Sequence, residues 1–128
     1  MDTRAADICD EVNGRIGEDR IFEISGNTLQ PSYTTPKVLW YERQYPDEFR
    51  KTDKILQSNG YIAYKLTGAV TQDICQGYGW HCFDMKTGRW DEAMAKDIGI
   101  AIIGHGFMGH EHEKMLLDFP GIKLIGFS

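Results

Sequence analysis

Apolar residues in the first half of the chain recur mostly at helical spacing. Over residues 5–17, Ile8, Val12 and Ile16 return every fourth position, a narrow stripe along one helix face. Asn13-Gly14 weakens that helix near its end, and Gly17 is placed to cap it. Residues 18–25 carry Ile21, Phe22 and Ile24, a pattern that fits strand or helix, before the turn signal Gly26-Asn27. The next helix has a marked start and stop. Thr35 suits the N-cap, and Pro36 suits the first helical position, where a missing N–H costs nothing. Pro46 disfavours helical geometry at Tyr45 and ends that helix. A short helix follows with Pro46 in its first turn, where Asp47 and Glu48 favour the positive end of the dipole. Residues 53–56 are brief and apolar enough for a short strand. Ser58 or Asn59 then opens a helix through Leu66, closed by Gly68 in left-handed conformation. Core packing accounts for Val38, Leu39, Tyr61 and Tyr64.

After Gly68 the texture turns to strand. Residues 69–73 are a short candidate, Gly77 and Gly79 punctuate a bend, and Trp80 to Asp84 mix large apolar and polar side chains. Residues 85–89 form a turn with Gly88 where a positive φ is wanted. Asp91 suits the N-cap of a helix over 92–96. Residues 98–103 are then almost continuously apolar, the mark of a strand buried on both faces. A glycine-rich turn follows, then a helical pattern through Met108, His112, Met115, Leu116 and Phe119. Pro120-Gly121 breaks it, and residues 122–127 read as a second buried strand. Strand, helix and strand predict a right-handed parallel βαβ unit.

Composition narrows the class. The chain has 128 residues, 26% charged and 41% hydrophobic, as in soluble globular domains. A net charge of −5 without a basic cluster argues against nucleic acid as a partner. No apolar run reaches membrane-spanning length, and the first residues lack the layout of a signal peptide. Cys9, Cys75 and Cys82 form no C-x-x-C pair, so reduced thiols in a cytoplasmic setting are the simplest expectation. No internal repeat is present.

The motif S-Y-T-T-P-K-V-L-W, Ser32 to Trp40, followed by K-L-T-G at Lys65 to Gly68, resembles the FGGY family of carbohydrate kinases, and within it the xylulokinases. Tyr41 departs from the aliphatic residue or Phe usual in that signature. The resemblance runs from residue 1 to about 98. It implies an α/β fold, an incomplete ribonuclease-H-like (actin-like ATPase) sugar kinase domain, with residues 18–25 helical. Asp2 and Arg4 match a W-x-D-x-R segment whose Trp position precedes residue 1, and which borders the sugar in the family. Ser32 and Tyr33 fall in the loop that approaches the sugar. Asp2, Arg4, Ser32 and Tyr33 are therefore the substrate-binding residues that the resemblance implies. Asp73 matches a T-x-D-x-S pattern in which Cys75 replaces the hydroxyl residue. ATP and Mg²⁺ would serve the complete kinase. The family's phosphate-cradling D-x-G-T turn, its catalytic Asp in a G-G-x-D segment and its adenosine-holding domain have no counterpart in this sequence, so no catalytic residue is assigned.

The tail has a different character. G-H-G-F-M-G-H-E-H, Gly104 to His112, with P-G-I-K-L-I-G, Pro120 to Gly126, resembles the start of the nucleotide domain in the glucose–fructose oxidoreductase and inositol dehydrogenase family. Gly104 would permit the tight turn, Gly106 the approach to a pyrophosphate and Gly109 close helix–strand packing, with NAD(P) as the cofactor of a working site. The acidic residue that holds the ribose is not reached by Ser128. His105, His110 and His112 invite a metal reading, but His110 and His112 point different ways from a helix, and no metal site is expected.

The expectation is thus a partial kinase domain over residues 1–97 joined to one Rossmann-like βαβ unit over 98–128. A ketose would be its substrate in the complete protein, and the chain alone would be inactive. Self-association is expected through apolar faces left uncovered on the helices over 5–16 and 36–45. The alternatives are an NAD(P)-dependent oxidoreductase fragment and a non-catalytic interaction module.

Overall fold

The computed structural model describes residues 2–104 and 124–127. Helices dominate: α1 Ala6–Ile16, α2 Glu18–Ser25, α3 Thr34–Gln44, α4 Pro46–Arg50 and α5 Ser58–Thr67. A 3-10 turn, Ile74–Gly79, leads into a hairpin of β1 Phe83–Asp84 and β2 Arg89–Trp90. Then come α6 Glu92–Ile98, β3 Ala101–Gly104 and β4 Leu124–Phe127. β1 and β2 are antiparallel, whereas β3 and β4 pair in parallel with Ala101 opposite Leu124 and Gly104 opposite Phe127.

The α1 stripe organises the core. Ile8, Cys9 and Val12 are buried, and α1 packs on α2, α3 and α6. Ile21 from α2, Trp80 and Phe83 around the hairpin, and Met94 and Ile98 from α6 complete one cluster. Each such side chain removed from water contributes about 1.5–3 kcal/mol. Arg15, in the last turn of α1, donates to the Ile98 carbonyl at the end of α6, 3.4 Å away. The uncovered α1 face expected from sequence is therefore corrected: α2, α3 and α6 cover it. On α3, Val38 is buried while Tyr41, and Tyr45 just past the helix, remain exposed.

Local chemistry explains the hairpin. Asp84 accepts from the amides of Lys86 and Thr87 at 2.8 and 3.2 Å, and Gly88 turns the chain with φ 67°. Gly77 lies so close to Phe83 that a Cβ there would overlap its ring. Asp91 caps α6 by accepting from the Met94 amide at 2.7 Å.

Several expectations need correction. Thr35 is not the N-cap: α3 begins at Thr34 after Tyr33, and the Thr35 hydroxyl accepts from the His81 amide at 3.1 Å. Residues 53–56 and 69–73 are not strands. Polar groups in the second segment and beside the first find local or side-chain partners instead. The Gln57 amide reaches the Gln72 side chain, Asp73 accepts from the Cys75 amide, and Ala69 donates to the Thr67 hydroxyl. Gly77 and Gly79 belong to the 3-10 turn. α6 runs to Ile98 and is capped by left-handed Gly99, so β3 begins at Ala101 and not at Ile98. The ribonuclease-H-like sheet is not seen among the described residues, whose sheets are two-stranded. Helix assignment for 18–25, the stop at Tyr45 and the left-handed cap at Gly68 agree with the sequence reading.

Candidate functional site

Leu29 buries itself in the core and anchors the loop before α3, and the Tyr33 amide donates to Gln30 O at 3.0 Å. The loop thereby delivers half-buried Ser32 and Tyr33 to the rim of a cleft of about 1000 Å³. Five tyrosines line it, Tyr33, Tyr41, Tyr61, Tyr64 and Tyr78, out of six in the chain. Tyr33 meets Tyr78 edge-on at 5.7 Å. Expected as core, Tyr61 and Tyr64 are instead exposed on the cleft side of α5.

One end of the cleft is polar. Gln57 donates to the Thr34 hydroxyl at 2.7 Å and to the Gln76 carbonyl at 3.4 Å, and accepts from Gln72 at 3.1 Å. Gly79 stands beside Thr34 and Gln57, where a Cβ would sit 3.1 and 3.3 Å from their side-chain atoms. Val38, Phe49, Ile55 and Leu56 supply apolar surface, and Lys37 and the Lys54–Asp53 pair supply charge. Aromatic faces beside amides and hydroxyls suit a ligand with C–H faces and many hydroxyl groups.

Asp2 and Arg4, just before α1, lie elsewhere, against Trp40 of α3. Arg4 grips Asp2 at 2.8 and 3.0 Å, and its guanidinium stands 4.3 Å over the Trp40 ring. Hydrogen bonds from the Arg4 side chain and backbone hold the Asp2 carboxyl well below the usual carboxylate range. Lys37, which lines the cleft, acts on Asp2 through its charge. Ser32 and Tyr33 thus share the cleft, while Asp2 and Arg4 are not among its lining residues.

Gly104 ends β3. Gly106, Gly109 and the tail histidines His105, His110 and His112 lie outside the described residues. Among the described residues no group of three or more His, Cys, Asp or Glu converges on a point that could hold a metal. The cysteines are free thiols, and burial pushes Cys9 up to about 11 and Cys82 up to about 12. No helix among the described residues is long and apolar enough to cross a membrane.

Sequence reasoning missed His81. Strand alternation would have sent one of each neighbouring pair outward, yet Trp80, His81, Cys82 and Phe83 are all buried. The legible signal was a polar residue inside a run of large apolar ones.

Residues 1–105 match the model for the FGGY family of carbohydrate kinases, N-terminal domain, and the chain belongs to that family. It is 32% identical over 93 residues to a xylulose kinase of Escherichia coli (strain K12), covering 73% of this chain and 19% of the relative. A solved xylulose kinase from Rhodospirillum rubrum shares the fold with a TM-score of 0.68 at 22% identity, over 74% of this chain and 20% of that one. A gluconate kinase from Lactobacillus acidophilus does so with a TM-score of 0.67 at 24% identity, over 76% and 20%. The chain spans about a fifth of the length of the relatives it matches.

Proposed function

We propose that this chain supplies part of the sugar-facing wall of an ATP-dependent, xylulose kinase-like carbohydrate kinase acting on a ketose hydroxyl. The placement of Ser32 and Tyr33, from the family-like motif, at the rim of a tyrosine-lined cleft carries the reading. Tyrosine faces would cover the sugar's C–H surface, and the hydroxyls and amides at the polar end would meet its hydroxyl groups. Asp2 and Arg4, fixed by their own ion pair and by Trp40, would extend that surface beyond Lys37. ATP and Mg²⁺ belong to the proposed reaction, but the described residues do not fit them, since no acidic cluster converges there. No phosphoryl-transfer step is assigned to these residues.

A second reading concerns the tail. The parallel pairing of β3 with β4 is what favours the Rossmann-like reading of the tail sequence, whose connecting residues lie outside the described residues. In that reading the G-H-G-F-M-G motif would serve an NAD(P) pyrophosphate.

Titration of the 128-residue chain with D-xylulose and D-gluconate tests the principal reading. The expected result is saturable D-xylulose binding that Tyr33→Ala weakens to a still measurable level, with no sugar-dependent release of ADP. Binding indifferent to Tyr33, or a preference for D-gluconate, would overturn the ketose assignment. NAD⁺ binding that outcompetes ADP would favour the tail as the working site.

A further inference from the structure

His81 holds together three points of the segment that carries Ser32 and Tyr33. Its Nε2 stands 3.2 Å from the Thr28 carbonyl. A carbonyl can only accept, so Nε2 carries the proton and Nδ1 is bare. Its backbone N–H donates to the Thr35 hydroxyl at 3.1 Å. Its ring lies 5.7 Å from the Tyr33 ring at an interplanar angle of 61°. The ring itself is fully buried, and Nδ1 meets no hydrogen-bond partner.

A leucine or phenylalanine would fill this space without leaving a buried acceptor unpaired. The imidazole adds what neither offers: a donor that ties the loop before α3 to the start of the hairpin, 53 residues along the chain. Local bonds, such as Tyr33 N–H to Gln30 O, shape the loop but do not anchor it to another element. Tyr33 leans on the anchored side chain and on Tyr78.

We propose that His81 is a positioning residue for the sugar-facing wall, its imidazole fixing the loop at Thr28 and the Tyr33 ring from beneath. The proposal rests on the reading of the cleft given above for its consequence, though not for its geometry. His81 does not touch the sugar; it acts through Tyr33.

Two arms test it on the full 128-residue chain. The first records the NMR signals of the Tyr33 ring and of the amides of residues 28–35 in wild type, His81→Phe and His81→Gln. Phe keeps the ring and loses the donor, whereas Gln places an N–H near the position of Nε2. The second arm titrates D-xylulose against the same proteins and against each change in a Tyr33→Ala background.

His81→Phe should move the Tyr33 and loop signals and weaken D-xylulose binding about tenfold, the loss of one well-placed hydrogen bond. Gln should restore most of both. In the Tyr33→Ala background His81→Phe should cost nothing further in affinity. Unmoved Tyr33 signals, or an equal loss of affinity in both backgrounds, would overturn the proposal. Should wild type fail to bind D-xylulose, the sugar reading falls, and the signals of Tyr33 and residues 28–35 still decide what His81 does. Should the Phe variant not fold, His81→Asn replaces it, because its shorter amide cannot reach Thr28. Asn must then displace the loop signals and Gln must not; identical behaviour would sink the idea.

Discussion

α1 and α5 have similar lengths and both carry several large apolar residues, yet one is core and the other is surface. On α1, Ile8 and Val12 lie four apart, one above the other, and both are buried. On α5, Tyr61, Ile62, Tyr64 and Leu66 spread around the helix, and all four are exposed. No single face gathers them, so no single neighbour can cover them. α5 packs instead through backbone and amides. Gly60 presses so close to Thr71 and Gln72 that a Cβ would sit 2.8 and 2.9 Å from their oxygens. Gln72 bridges to Gln57 and Asn59. Apolar content alone does not say what is buried; its angular distribution and the presence of a facing element do.

The sharpest way to break this contrast is to truncate one large side chain on each side. Trp80 is 1% exposed in the cluster that covers α1, whereas Leu66 on α5 is 81% exposed. Trp80→Ala should lower stability by about 3–5 kcal/mol, the transfer and cavity cost of a buried aromatic. Leu66→Ala should stay within about 0.5 kcal/mol. Urea unfolding followed by circular dichroism measures both, and comparable losses would erase the distinction between the two regions.

The core should also respond to acid. Burial lowers the pKa of His81 to about 4 from 6.5, opposed by the hydrogen bond to the Thr28 carbonyl. The folded protein therefore favours the neutral ring, while the unfolded chain protonates near 6.5. The stabilisation is complete above pH 6.5 and is lost as the pH falls towards 4, on the order of 3 kcal/mol in all. Carboxylates also titrate at the lower end of this range. His81→Gln, which cannot take up a proton there, isolates the histidine's share. Parallel stability–pH profiles for wild type and His81→Gln between pH 7 and 4 would show that the ring is not held neutral.

The elements that were legible depend on near neighbours. Pro46 ends α3, Gly68 caps α5 and Asp91 caps α6 through contacts within a few residues. The illegible features depend on distant partners. Thr35 reads as a cap until His81, 46 residues away, claims its hydroxyl. Residues 53–56 read as a strand, but a strand needs a second strand, and Gln57 finds a side chain instead. Ser32 and Tyr33 were reachable through their motif. The tyrosines of α5 were not, because the same residues at the same spacing serve a core or the wall of a cleft equally well.

The smallest effect probes how the covered side stays covered. α6 lies over α1 and contributes buried Met94, Ala95 and Ile98. It has only seven residues, too short to be stable by itself, so its placement depends on its ends. At the C-terminal end, Gly99 closes the helix in left-handed geometry. At the N-terminal end, the Asp91 carboxylate accepts from the Met94 amide. Asp91→Ala removes that acceptor and should cost about 1 kcal/mol. Asp91→Asn keeps an acceptor oxygen at the cap and should cost less than Ala. If the cap secures α6 over α1, hydrogen exchange in Asp91→Ala should quicken for α6 and for the facing turns of α1, but not for α5. Quickening of α5 to the same degree would mean that the two regions unfold as one unit, and that their difference in packing does not divide the molecule energetically.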